Sequence, residues 1–188
     1  MLYKTLLPKA FTSSGNMSSQ STSYIYTTLG IIGACISLYG YLFQSQEPQF
    51  FYIIGSLALL TTAIYYKLVY FIALQLILIA GHLAILFGSG PYTQFALPVL
   101  LCLQLLIVYS MIGQKSNIFF LLIGVLGIAL LSVGLASNNQ WIFFFGGLFI
   151  ALYAYYRGYK GQTASYLWAI LNTIFASLAL YHIIVATM

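Results

Sequence analysis

The sequence predicts an all-α, polytopic membrane protein with seven transmembrane helices in a 3+1+3 parallel repeat. Three observations carry that expectation. The 188 residues are 62% hydrophobic and only 4% charged. Their apolar residues gather into seven runs separated by short breaks rich in turn formers. The first three runs also resemble the last three.

A soluble domain carries about 25% charged residues. Six Lys and Arg and a single acid, Glu47, cannot cover a water-facing surface. The basic residues are Lys4, Lys9, Lys67, Lys115, Arg157 and Lys160. They are too scattered for a nucleic-acid surface, which needs clustered cations. Cys35 and Cys102 sit inside apolar runs with no metal or disulfide spacing and read as small packed hydrophobes.

Residues 1–22 form a polar, Ser-rich segment without the order of a signal peptide. Two Lys, no acid and several Ser also resemble a mitochondrial targeting peptide; a short cytoplasmic tail is the plainer reading. A helical span needs about 20 mostly apolar residues. The runs are Ser23–Phe43, Phe50–Tyr66, Leu68–Phe87, Gln94–Ile112, Ile118–Ala136, Trp141–Tyr156 and Ser165–Ala186. The breaks at Gln46-Glu47-Pro48, Gly88-Ser89-Gly90-Pro91, Gly113 to Asn117, Ser137 to Gln140 and Arg157 to Gly161 carry turn chemistry. Only Lys67 separates spans two and three, so one long bent helix is an alternative there. Two helices fit better, because the combined run is roughly twice the bilayer thickness.

With seven spans, the N-terminal tail and loops 2–3, 4–5 and 6–7 share one side, and they hold all six basic residues. Lys and Arg are retained on the cytoplasmic side. The expected topology is N-terminus inside and C-terminus outside, in a membrane such as the bacterial inner membrane. Tyr and Trp gather near the span ends (Tyr65, Tyr66, Tyr70, Tyr92, Trp141, Tyr155, Tyr156, Tyr159, Tyr166, Trp168), as an interfacial belt does.

The repeat is read without gaps inside helices. Gly30, Gly33 and Gly40 align with Gly124, Gly127 and Gly134. Phe50 to Gly55 aligns with Trp141 to Gly146, which brings Ala63 onto Ala154 and Tyr65 onto Tyr156. Tyr70, Ala73 and Ala80 align with Tyr166, Ala169 and Ala176. Two three-span units joined directly would be inverted; span four restores a parallel arrangement about an axis along the membrane normal. The organisation is then a tail (1–22), a first repeat (23–88), a linker helix (94–113) and a second repeat (117–188).

That architecture resembles the SWEET sugar transporters, the PQ-loop proteins and the PnuC vitamin transporters. The resemblance covers all seven spans and rests on architecture; the sole Pro-Gln pair, Pro48-Gln49, falls in loop 1–2. It implies a transport fold, with an amide residue on each of spans three and seven facing a central pocket.

Polar side chains within spans are the candidate site residues. Gln75 and Asn172 lie at similar depth in matching units, but the alignment sets them one residue apart, about 100° around a helix. Amides suit an uncharged, hydroxyl- or amide-bearing solute, because each offers donors and an acceptor. His82 and His182 follow, as pocket contacts, helix-pairing groups or axial haem ligands. Gln104 in span four completes the candidate set, with interhelical packing as its simpler role. Ser37, Ser132, Thr61 and Thr62 can satisfy themselves against their own backbone. Pro98 should kink span four. No acid and no Lys lies mid-span, which argues against a carboxylate relay and excludes a Schiff-base lysine. No catalytic motif, metal-ligand set or cofactor is expected.

The function expected is facilitative transport of a small neutral solute, by alternating access between two three-helix bundles. The alternative is a structural or accessory subunit of a larger membrane complex; a haem or quinone protein is a third reading. The expected partners are the lipid bilayer and a small uncharged solute, with a homo-oligomer or a membrane-complex partner open.

Overall fold

A computed structural model describes residues 14–43, 48–112 and 118–188. These form seven α-helices and no strand: α1 (Ser14–Phe43), α2 (Pro48–Tyr65), α3 (Val69–Leu86), α4 (Pro91–Ile112), α5 (Ile118–Ala136), α6 (Gln140–Tyr159) and α7 (Tyr166–Thr187), the last preceded by a short 3₁₀ turn at Thr163–Ser165. Two helices, not one bent one, occupy the segment around Lys67. Glu47, Lys4, Lys9 and Lys115 lie outside the described residues.

Five helices are long and apolar enough to cross a membrane: α1 over Ser21–Phe43, α2, α3, α5 and α7. The seven helices expected from sequence are present, and five of them meet that length and hydropathy among the described residues. Helix α4 is 22 residues long, and its described apolar stretch covers Tyr92–Leu106. Helix α6 carries Gln140, Trp141, four tyrosines and Arg157, which lower its hydropathy. Helix α1 runs back to Ser14, into the segment read from sequence as a tail. Pro48-Gln49 belongs to α2 and not to the preceding loop, and α4 begins at Pro91, three residues earlier than expected. The reason is the same at both: a proline in the first turn gives up an N–H that has no helical partner anyway.

The four described turns between helices share one construction. A residue at positive φ follows the helix: Lys67 (54°), Gly88 (67°), Asn138 (50°) and Gly161 (99°). The next N–H then reaches back five residues, from Leu68 to Ala63, Ser89 to Ala84, Asn139 to Gly134 and Gln162 to Arg157. This left-handed closure satisfies helix-end carbonyls within the turn itself, so sequential helices fold back as tight hairpins. Asn139 also caps α6, its Oδ1 accepting from the N–H groups of Trp141 and Ile142 at 3.0 and 3.2 Å.

Helix α2 packs against α1 and α3, and α6 against α5 and α7; α4 rests on α3 and α5. Two further contacts join these groups: α3 against α5, and α1 against α7. Lipid supplies little hydrophobic drive between helices, so close backbone approach matters more. A Cβ on Gly33 would lie 2.7 Å from the Gly55 carbonyl oxygen, and one on Gly127 would lie 2.8 Å from the Ile150 nitrogen. Both are collisions with backbone, which cannot swing aside. Gly127→Ala should therefore destabilise by about 1–3 kcal/mol and lower the melting temperature in detergent. Gly90→Ala, facing open space, should leave it unchanged.

Candidate functional site

Two connected spaces lie along the line where the three-helix groups meet. The outer one, a vestibule of about 310 Å³, is lined by the ends of α1 and α3, the start of α2, the end of α5 and the start of α6. Its rim carries Gln49, Asn138 and Gln140, and its wall Tyr41, Tyr52, His82 and Phe143. The Tyr41 hydroxyl donates to Gln140 Oε1 at 2.7 Å. Tyr52 lies flat on His82 at 4.7 Å, and Tyr41 flat on Phe143 at 5.1 Å.

Tyr52, His82, Leu135 and Phe143 also line a narrower chamber of about 40 Å³ further in. Six helices, all but α4, line it. On α3 the lining residues are Leu74, Gln75 and Leu78; on α7 they are Leu171, Asn172 and Phe175. The two helices thus present the same i, i+1, i+4 pattern, with Gln75 and Asn172 in the same place within it. No charged side chain lines either space among the described residues.

Beyond the chamber the seam is shut. Tyr70 and Phe71 from α3 meet Tyr153 from α6 and Trp168 from α7, and none of the four is more than 2% exposed. Tyr70 packs on Tyr153 at 4.0 Å and Phe71 stacks on Trp168 at 4.6 Å. The Tyr70 hydroxyl donates across the seam to the Gly124 carbonyl at 2.7 Å. Arg157 sits on the far side of this plug, with Nη1 3.4 Å from the Tyr153 hydroxyl and Nε donating to Gln162 Oε1 at 2.8 Å. The plug therefore lies at the end of the molecule that carries Lys67, Arg157 and Lys160, and the vestibule opens at the opposite end.

The structure brings three sequence candidates together: Gln75, Asn172 and His82 all line the chamber. Gln75 Oε1 and His82 Nδ1 are buried without a hydrogen-bond partner in the protein. Asn172 Nδ2 donates to the Trp168 carbonyl at 2.8 Å, tying the chamber wall to the plug. His182 lines neither space; it is half-buried and lies flat on Tyr41, 5.6 Å between ring centres. The two imidazoles share no cavity that would hold a haem between them. Gln104 is exposed on α4 and stands away from both spaces.

Two residues assigned to the interfacial belt belong instead to the interior. Tyr70 and Trp168 are 2% and 0% exposed, because each opens a helix that enters the seam and not the periphery. Tyr41, Tyr52, Gln49 and Gln140 were not singled out from sequence. The signal available for the two glutamines was a polar residue adjoining an apolar run, which is also what an ordinary turn provides.

The chain matches no family model, no curated protein and no solved structure.

The geometry can be checked by thiol labelling in a Cys35→Ser/Cys102→Ser background. A cysteine replacing Leu135 should react with a membrane-impermeant maleimide added from the vestibule side. One replacing Phe71 should be protected from both sides.

Proposed function

We propose that the chain is a facilitative carrier for a small neutral solute. On this reading two parallel three-helix bundles, joined by α4, expose Gln75 and Asn172 to each side of the membrane in turn. The observation that carries it is the pairing of residues around the seam. Taking α1 with α5 and α2 with α6 in the register of the sequence repeat, the chamber lining falls into equivalent pairs: Ser37 with Leu131 and Tyr52 with Phe143. The vestibule adds Gly40 with Gly134, Tyr41 with Leu135 and Gln49 with Gln140.

The third helix of each unit fits the same scheme when its register is moved by one residue from the sequence alignment. Leu74, Gln75 and Leu78 then fall on Leu171, Asn172 and Phe175, and Phe71 falls on Trp168. Glycine contacts favour that shift. A Cβ on Gly30 would meet Thr62 and Leu167, and one on Gly124 would meet Tyr153 and Tyr70. Thr62 pairs with Tyr153 in the α2–α6 register, and Leu167 pairs with Tyr70 only in the shifted one. Contacts of α3 with α5 and of α7 with α1 are those a twofold axis through the seam would generate. The offset that separated Gln75 from Asn172 in sequence is removed.

A pathway on such an axis, open at one end and plugged at the other, fits one state of an alternating-access cycle. By the positive-inside tendency the plugged, basic end faces the cytoplasm, with all seven helices crossing the bilayer. The amide-lined, uncharged wall suits a neutral solute with hydrogen-bonding groups, and the unpaired Gln75 Oε1 supplies an acceptor for it. The plug also leaves Trp168 Nε1 and Ser165 Oγ buried and unpaired. Each such group costs about 1–3 kcal/mol, which narrows the gap to a state in which the plug parts and water reaches them.

Proteoliposomes tested with radiolabelled glucose, glycerol and urea should show uptake of at least one solute above empty vesicles. Gln75→Leu/Asn172→Leu should abolish it, and equal flux in wild type and double variant would sink the carrier reading. Tyr70→Phe removes the bond across the seam. In the cysteine-free background, a cysteine at Leu74 should then label about five-fold faster from the basic side, the equivalent of the roughly 1 kcal/mol of a net hydrogen bond.

One observation favours the accessory-subunit reading: an open apolar groove lies between α4 and α5, lined by Val99, Leu103, Leu122 and Leu126 among others. Purification in mild detergent separates the two readings, since a stoichiometric companion protein would favour the subunit.

A further inference from the structure

The twofold pairing fails most sharply on the side where α4 packs. In the registers above, His82 corresponds to Ala179 and Ser132 to Leu38, so two polar groups stand where the other half has apolar ones. His82 and Ser132 are 4% and 6% exposed, and His82 Nδ1 and Ser132 Oγ are both buried without a partner. They line the same small space of about 10 Å³, bordered by residues of α3, α4 and α5. Pro98, buried in α4, lines it as well, together with Gln94. A proline has no N–H, so the carbonyl four residues earlier loses its helical donor. That carbonyl belongs to Gln94, and the Gln94 side chain is already committed, its Nε2 donating to the Ser89 carbonyl at 2.7 Å.

A void that admits one water needs about 10–15 Å³ and two to four polar partners. The size and the chemistry coincide here. We propose that a single structural water occupies this space, bonded to His82 Nδ1, Ser132 Oγ and the Gln94 carbonyl. Water is the ligand class that fits, because it both donates and accepts. The carbonyl can only accept, the hydroxyl turns either way, and the imidazole nitrogen takes whichever role its tautomer allows. The bridge pins the proline-interrupted turn of α4 to α3 and α5, one helix from each three-helix group. It also gives the imidazole on the chamber wall a fixed partner behind it. The site does not depend on the carrier reading.

Thermal unfolding in detergent tests it through the sign of an effect. Ser132→Ala keeps room for the water on His82 and the Gln94 carbonyl. Ser132→Val fills that room, expels the water and strands the imidazole, so its melting temperature should fall about 2–4 °C below that of Ser132→Ala. Were the space dry, the added methyl groups would fill a void and the order would reverse. Overpacking is separated by repeating the pair in a His82→Leu background. There the difference between Val and Ala should vanish, since no imidazole remains to be stranded. A Ser132→Val protein at least as stable as Ser132→Ala, or a penalty that persists in the His82→Leu background, overturns the proposal. Should His82→Leu fail to fold, a density map of the wild type decides: an ordered peak between His82 and Ser132 supports the water, and none refutes it.

Discussion

Close backbone contact between α1 and α2, and between α5 and α6, is the constraint on which the rest of this structure depends. With so few charges available, and lipid as apolar as leucine, these helices gain little by hiding hydrophobic surface from one another. What holds a pair is dispersion at short range, and that requires the absence of side chains. Gly33 lies against the Gly55 carbonyl, and Gly127 against the backbone of Ile150. Two tight hairpins result. Their remaining large side chains are turned to lipid or into the seam, where α3 and α7 complete each group.

Polar groups then follow from position. A glutamine or asparagine facing hydrocarbon would be costly, whereas the seam offers partners and hydration. Gln75, Asn172 and His82 all lie there, with Tyr41, Tyr52 and Gln140 nearer the mouth. The four tight turns add to the effect. They close each helix end on its own backbone, and the side-chain cap of α6 comes from Asn139, which lines neither space.

Much of this was legible in the sequence because lipid imposes a strong signal. Apolar run length gave the number of helices, and repeated glycines marked which ones approach closely. The remainder was hidden for identifiable reasons. Helix starts were missed at Pro48 and Pro91, since proline reads equally as a turn residue and as the first residue of a helix. Tyr70 and Trp168 were assigned to the interface because an aromatic residue near a span end looks alike whether it faces headgroups or the seam. On the carrier reading proposed above, the register of α3 on α7 moves by one residue from the alignment, which followed Tyr70 and Tyr166, because the contacts of Gly30 and Gly124 favour the shifted one. Composition does not reveal the face of a helix that is apolar all round, and the low amphipathicity of these helices left no periodicity to correct the error.

On the proposed carrier reading, the departures from twofold pairing are as informative as the pairing. An exact twofold would place matching residues on both sides of the seam at the same depth, and nothing would distinguish the two halves. Here Tyr70 faces Gly124 with a hydroxyl that bonds across the seam, whereas its counterpart Leu167 faces Gly30 with none to offer. In the proposed registers Ser37 corresponds to Leu131, and His82 to Ala179. Helix α4 has no counterpart at all, and it packs on the half of the seam that holds Tyr70, His82 and Ser132. The asymmetry is therefore concentrated on α3 and α5, the one pair of helices that crosses between the groups beside the linker. That contact braces one edge of the seam, while along the opposite edge α1 meets the second group through the Tyr41–Gln140 hydrogen bond and the stacks of Tyr41 on Phe143 and His182.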